Sequence, residues 1–194
     1  MTRKVLVIDA HPDPDPARFG HALAQAYEDG AREAGCETRR IVLADLEFPL
    51  LRTYAEFMRE PDSSSILSAR ADMLWADHIA FTFPLWIGSA PAYLRAFLEQ
   101  IARGEFLAGV GPHGLSQKLK GKSARLIVTM GMPAFFYRLY FGAFGVRGLK
   151  RSALGFAGAA PVRITLFGMI EGVGEKVNAK RLAKTRALGR KLGR

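Results

Sequence analysis

One pattern governs what this chain can become: short β-rich apolar runs alternate with longer stretches whose apolar residues recur at three- and four-residue spacing. That alternation is the signature of a parallel sheet joined by crossover helices. Strands are predicted over residues 4–9, 38–44, 78–83, 125–129 and 162–166, and helices over 16–34, 63–75, 91–103 and from about 172 onward. Asp15 followed by Pro16 predicts the start of the first helix, with a carboxylate cap before a proline in the first turn. Between 134 and 156 the pattern is mixed, with Phe135, Phe136, Tyr137, Tyr140, Phe141 and Phe144 crowded into one glycine-interrupted segment. No repeat, low-complexity linker or composition break divides the 194 residues, so one five-stranded α/β domain over 1–194 is expected.

The cysteine and charge content narrow the chemistry. A single cysteine, Cys36, rules out an internal disulfide framework and a thiolate-rich metal site, and no metal is expected. A reducing, cytoplasmic compartment is the default. The apolar run from Val5 to Ile8 is too short for the core of a secretory signal, and no transmembrane helix is predicted. The net charge of +10 is uneven: residues 1–100 hold 10 Lys/Arg against 15 Asp/Glu, whereas residues 101–194 hold 18 against 3. Residues 176–194 hold eight Lys/Arg and no acid. Such a field attracts anions, among them nucleotides and acidic lipid headgroups, although charge runs commonly mark only a solvated helix. No nucleic-acid recognition motif accompanies the charge, and no nucleic-acid partner is expected.

In open parallel sheets ligands bind beyond the carboxyl ends of the strands. Three loops qualify: residues 11–20, 84–91 and 129–137. The first, HPDPDPARFG, leads to a helix N-terminus that suits a phosphate, with Arg18 as an added donor. Asp13 and Asp15 bring negative charge to the same place, so read alone the loop fits a merely capped helix equally well. Neither a dinucleotide fingerprint nor a nucleoside-triphosphate loop is present. The second, FTFPLWIGSAPAYLRAFLEQI, ends a strand in an aromatic turn held by two prolines, whose free backbone groups suit a flat polar ring edge.

Three features together resemble the NAD(P)H:quinone oxidoreductase family, the DT-diaphorase-like branch of flavodoxin-like flavoproteins. They are His11–Pro12, the turn from Phe83 to Pro91, and Thr129, Gly131 and Tyr137. The resemblance covers nearly the whole chain. It implies a doubly wound parallel sheet in the order 2-1-3-4-5 with helices on both faces. It also implies FMN, with FAD as an alternative, NAD(P)H as co-substrate, and hydride transfer through the flavin to a quinone or similar small-molecule acceptor. By position, His11, Arg18 and Phe19 would hold the flavin phosphate. Pro84, Leu85, Trp86 and Ile87 would meet the ring, and Thr129, Gly131 and Tyr137 its pyrimidine edge, with Tyr137 the candidate catalytic donor. Trp86 and Tyr137 also suit core or subunit packing.

The chain departs from the family at three points. It lacks the Ser-x-Asn of many phosphate loops, Met132 replaces a glycine, and Ala143 stands where a relay histidine is counted. A homodimer burying the aromatic segment is expected. The alternative function is a flavin-binding regulatory subunit of a membrane transporter, reached through the basic C-terminal segment.

Overall fold

The computed structural model describes residues 2–111 and 114–193. In chain order the elements are β1 (Lys4–Asp9), α1 (Phe19–Glu33), β2 (Glu37–Val42), α2 (Tyr54–Met58), α3 (Ser64–Trp75), β3 (His78–Pro84), α4 (Ala92–Ala102), β4 (Ala108–Gly111), β5 (Gly114–Gln117), β6 (Ser123–Thr129), α5 (Ala134–Leu139), α6 (Phe144–Gly148), β7 (Val162–Phe167) and α7 (Glu175–Arg190). Five strands form one sheet in the order β2-β1-β3-β6-β7, every neighbouring pair parallel. Counted along the main sheet, this is the expected order 2-1-3-4-5. The strands β4 and β5 pair antiparallel as a separate ribbon, which the sequence pattern did not predict.

Alternation along the strands builds two cores. Leu6 and Ile8 of β1, Ile79, Phe81 and Phe83 of β3, and Leu126 and Val128 of β6 point to the face covered by α3 and α4. Val5, Val7, Ala80 and Ile127 point to the other, under α1 and α7. The central strand β3 is buried along its whole length, as a strand covered on both faces must be.

Two expected boundaries shift. The strand predicted over 38–44 ends at Val42, where a 3-10 turn over Leu43–Asp45 takes over. The first helix begins at Phe19 rather than Pro16. Asp13 Oδ1 accepts the Asp15 N–H and Asp15 Oδ1 accepts the Ala17 N–H, each at 3.0 Å. The aspartates therefore close two tight turns two residues ahead of themselves instead of capping the helix, a competition open to short carboxylate side chains.

The last helix is docked on its neighbour. A Cβ on Gly30 of α1 would lie 2.0 Å from the Arg186 carbonyl oxygen, and one on Gly189 of α7 would lie 2.2 Å from that of Tyr27, so both glycines permit backbone contact. Arg186 and Arg190 pair with Glu33, and Arg181 donates to the Gly168 carbonyl at 2.5 Å. Part of the basic C-terminal run is thus spent inside the molecule. Among the described residues no helix is long and apolar enough to cross a membrane.

Candidate functional site

Order reverses between β1 and β3, and the loops leaving β1, β3, β6 and β7 meet beyond their carboxyl ends around a cleft of about 580 Å3. His11, Arg18, Phe19, Pro84, Leu85, Trp86, Thr129 and Gly131, all expected from sequence, line it. Ile87 and Tyr137 do not. Asp13, weighed from sequence only as a negative charge, lines it too, and Ala17, Gly20, Met130, Ile170, Glu171 and Asn178 complete the wall without a role assigned from sequence. Ile170 and Glu171 follow β7, and the strand-end rule applied to all five strands selects that loop as well.

The first wall is the loop from β1 into α1. Arg18 is the N-cap and makes no side-chain cap bond, so the first-turn N–H groups of α1 are left without a side-chain partner and the positive end of the helix dipole faces the cleft. Arg18 Nε donates to Asp13 Oδ2 at 2.7 Å, leaving the outer guanidinium nitrogens for an anion. The Asp15 N–H, and after it Arg18, hold the exposed Asp13 carboxyl below its usual range. A Cβ on Gly20 would crowd the His11 ring at 3.1 Å, so glycine lets ring and helix close up.

The second wall is the turn after β3. The Leu85 N–H donates to the Thr129 carbonyl at 2.7 Å, and Trp86 and Ser89 exchange two backbone hydrogen bonds at 3.0 Å. Between them Ile87 and Gly88 both take positive φ, 47° and 71°. Glycine accepts that conformation freely, whereas a β-branched residue there is strained. Ile87 is fully exposed and Trp86 half-exposed.

Tyr137 braces this turn from behind. Its side chain is buried and its hydroxyl donates to the Gly88 carbonyl at 2.8 Å, while Gly145 packs against Gly88 and Ser89 so closely that a Cβ would sit 2.2 Å from the Gly88 oxygen. Burial raises the Tyr137 hydroxyl pKa. The expectation of a ring-facing catalytic donor is revised accordingly, because its proton is committed to the turn. Ala143, also buried, adopts a left-handed φ of 50° as the N-cap of α6, and its N–H donates to the Tyr137 carbonyl at 3.1 Å.

Across the cleft Thr129 is buried at the end of β6, and a Cβ on Gly131 would meet only open space. A larger cleft of about 1010 Å3 lies between α5, α6, β7 and α7, lined by Phe135, Arg138, Arg147, Lys150, Arg151 and Lys184 among others. It stands away from the convergence of strand ends.

A family model described as Flavodoxin-like fold matches residues 3–192. The ribosyldihydronicotinamide dehydrogenase-like protein traD of Penicillium crustosum is 28% identical over 175 residues, 75% of this chain and 62% of that protein. The glutathione-regulated potassium-efflux system ancillary protein KefG of Cronobacter sakazakii is 27% identical over 140 residues, 71% and 64%. The chain thus spans less than two thirds of the length of either curated relative. Among solved structures, NAD(P)H:quinone oxidoreductase from Methanothermobacter marburgensis superposes with a TM-score of 0.81 at 18% identity, over 99% of this chain and 100% of that one. An FMN-dependent NADH-azoreductase from Bacillus anthracis str. Ames Ancestor, in complex with FMN, gives 0.77 at 13% over the whole of both chains. These two likenesses concern the fold.

Proposed function

Since the chain belongs to the flavodoxin-like fold family, we propose that it is an FMN-dependent NAD(P)H oxidoreductase that reduces a quinone or similar small acceptor. The observation that carries this reading is the pairing, in one cleft at the switch point, of an uncapped helix N-terminus with a flat opening between the Pro84–Trp86 turn and Gly131. The donor set suits a phosphate at one end, and the open space beside Gly131 suits a planar ring at the other.

Bound FMN would supply the redox chemistry, accepting a hydride from NAD(P)H and giving it up to the acceptor. The chain's own groups do the rest. The first-turn N–H groups of α1 and the Arg18 guanidinium bind the phosphate, with His11 and Phe19 closing around it. Backbone groups of Pro84 and Leu85 orient the ring and Trp86 shields its flank, while Thr129 and Gly131 leave room for its polar edge. Tyr137 acts as a positioning residue, keeping the 86–89 turn in register with the cleft.

Purified protein is expected to carry a flavin absorbance band, to yield FMN rather than FAD on mass analysis, and to oxidise NADH or NADPH in the presence of a quinone. Arg18→Ala should weaken FMN binding by about 1–2 kcal/mol, reduced from the full value of a charge-assisted bond by its half-exposed position. An unchanged dissociation constant in a fluorescence titration removes Arg18 from the site. Failure of both nicotinamide nucleotides to reduce bound flavin would favour a flavin-binding regulatory subunit of a membrane transporter. The similarity to an efflux-system ancillary protein is the observation behind that second reading.

The same reading takes the protein as a cytoplasmic homodimer. Cys36 is a buried free thiol, and Phe135, Leu139, Tyr140 and Phe144 are each more than two-thirds exposed on one segment. So much apolar surface in one place fits a second copy better than water.

A further inference from the structure

Strand β7 stands at one end of the sheet order, and the larger cleft, of about 1010 Å3, lies against its outer edge. Pairing with β6 fixes which backbone groups face that cleft. The Ala124 N–H donates to the Pro161 carbonyl at 3.0 Å and the Met130 N–H to the Phe167 carbonyl at 2.9 Å. In a parallel ladder alternate residues bond to a given neighbour, so Arg163, Thr165 and Phe167 turn their backbone to β6, and Ile164 and Leu166 turn theirs outward. Among the described residues no turn, loop or side-chain hydrogen bond takes up the N–H or carbonyl of Ile164 or Leu166. Both residues, with Thr165 between them, line the cleft.

Five cations surround this edge, Arg138, Arg147, Lys150, Arg151 and Lys184, and no Asp or Glu lines the cleft with them. Among the described residues none of the five pairs with a carboxylate. Arg186 and Arg190, further along α7, share Glu33 instead. Lys150 and Arg151 ride on a π-helical segment, Leu149–Gly155, whose wider turn lets the Phe156 N–H reach the Arg151 carbonyl at 3.0 Å. Such turns are rare and recur at functional sites.

The cations flank the edge on both sides. Segment α6 and the π-helical turn pack on the core beneath α3 and α4, through Val146 and Leu154, whereas α7 packs on the opposite core, through Leu182 and Leu188. Arg147, Lys150 and Arg151 therefore stand on one side of β7 and Lys184 on the other. A strand laid along β7 would point alternate side chains to these two sides, and carboxylates suit both. An open edge is a template for pairing, and here its charge selects by sign: it turns away the β7 edge of a second copy and draws an acidic strand. Of the residues assigned above to contact with a second copy, Phe135 and Leu139 reach this cleft, from its α5 side.

We propose that the outer edge of β7 docks an extended acidic segment of a partner protein, which joins the sheet as a further strand. Ile164 and Leu166 supply its backbone hydrogen bonds, and the five cations take its carboxylates. No residue of the flavin cleft takes part, so the inference stands apart from the FMN reading.

The test uses the whole protein and a fluorescein-labelled, end-capped nonapeptide of alternating Glu and Val. Anisotropy at low salt is expected to show saturable binding, weaker by about tenfold or more when Lys replaces every Glu. A peptide of the same sequence methylated at every backbone nitrogen keeps the charge but has no N–H to donate, and it should lose about tenfold as well. Amide exchange at Ile164 and Leu166 should slow by about tenfold on saturation with the Glu/Val peptide, with β1 unchanged. Lys150→Glu together with Lys184→Glu should reverse the preference toward the Lys/Val peptide.

Equal binding of the methylated and parent peptides overturns strand addition, and so do Ile164 and Leu166 amides that exchange at one rate with and without peptide. Tighter binding of a single-stranded oligonucleotide or of anionic vesicles marks a general anion surface and overturns the choice of partner. Absence of binding at millimolar peptide overturns the proposal outright. Should the double variant fail to fold, the peptide series and the exchange rates of the wild type decide.

Discussion

Ile87 carries a cost that its surroundings do not explain by packing. It is β-branched, fully exposed and at φ 47°, a conformation that costs an L residue about 1–2 kcal/mol. Ile87→Gly removes that strain but adds about 0.5–1 kcal/mol of unfolded-chain entropy. The net expectation in urea denaturation is stability unchanged or raised by up to about 1 kcal/mol, and a clear loss would mean that the side chain packs after all. His78 presents the opposite case, a buried group with every polar atom in use. Tyr27 Oη lies 2.9 Å from its Nε2 and Ser123 Oγ lies 2.7 Å from its Nδ1, while burial, with the cations Arg3, Arg125 and Arg163 behind it, pushes its pKa down to about 3. The unfolded chain takes up this proton near 6.5 and the folded chain only near 3, so stability present above 6.5 is lost as pH falls through that window. Between pH 6.5 and about 5 the loss should approach 2 kcal/mol, and His78→Gln, which keeps hydrogen-bonding groups but cannot titrate, should flatten the slope by that amount. Parallel stability profiles for the two proteins would contradict this account.

The elements that were legible in the sequence share a physical reason. β1, β3 and β6 carry continuous apolar or β-branched runs, β2 and β7 shorter ones interrupted by arginine, and the four predicted helices start within about three residues of their predicted positions, because periodicity reports burial directly. The β4–β5 ribbon was not legible: β4 reads Ala-Gly-Val-Gly, in which glycine supplies no pattern. The early start expected for α1 failed because Asp-Pro-Asp-Pro can cap a helix or close local turns, and only the three-dimensional course of the loop decides between them. At the site, eight expected residues line the cleft, since motif residues at strand ends are fixed by topology. The role of Tyr137 escaped, because its partner Gly88 lies 49 positions away and a carbonyl leaves no mark in a sequence. Tyr137→Phe should cost about 1–2 kcal/mol in stability by leaving the Gly88 carbonyl without this donor. It should also speed hydrogen exchange at the Trp86 and Ser89 amides relative to β1, and equal exchange rates in the two proteins would remove the brace from the account.

At the scale of the whole molecule, exposed aromatic side chains and cations share one face. Phe135, Tyr140 and Phe144 lie exposed on the α5–α6 segment beside the cleft rich in arginine and lysine, while Glu33 and Gly168 occupy several cations of the C-terminal run. Light scattering at micromolar concentration is expected to give the mass of two chains, and Phe144→Asp together with Leu139→Asp to shift it toward one. A monomeric wild type would leave the aromatic face without the partner assigned to it.

The glycine contact between α1 and α7 also sets an order of events. Glu33 and Arg186 meet across 153 positions of chain, so the helix whose N-terminus lines the cleft is synthesised well before its cover. Until α7 arrives, Gly30 and the face around Val5 and Ile127 stay open to water. A ribosome-bound chain halted before α7 would therefore hold the strands of the sheet without a finished cleft, and competence to bind would follow only once that helix is made.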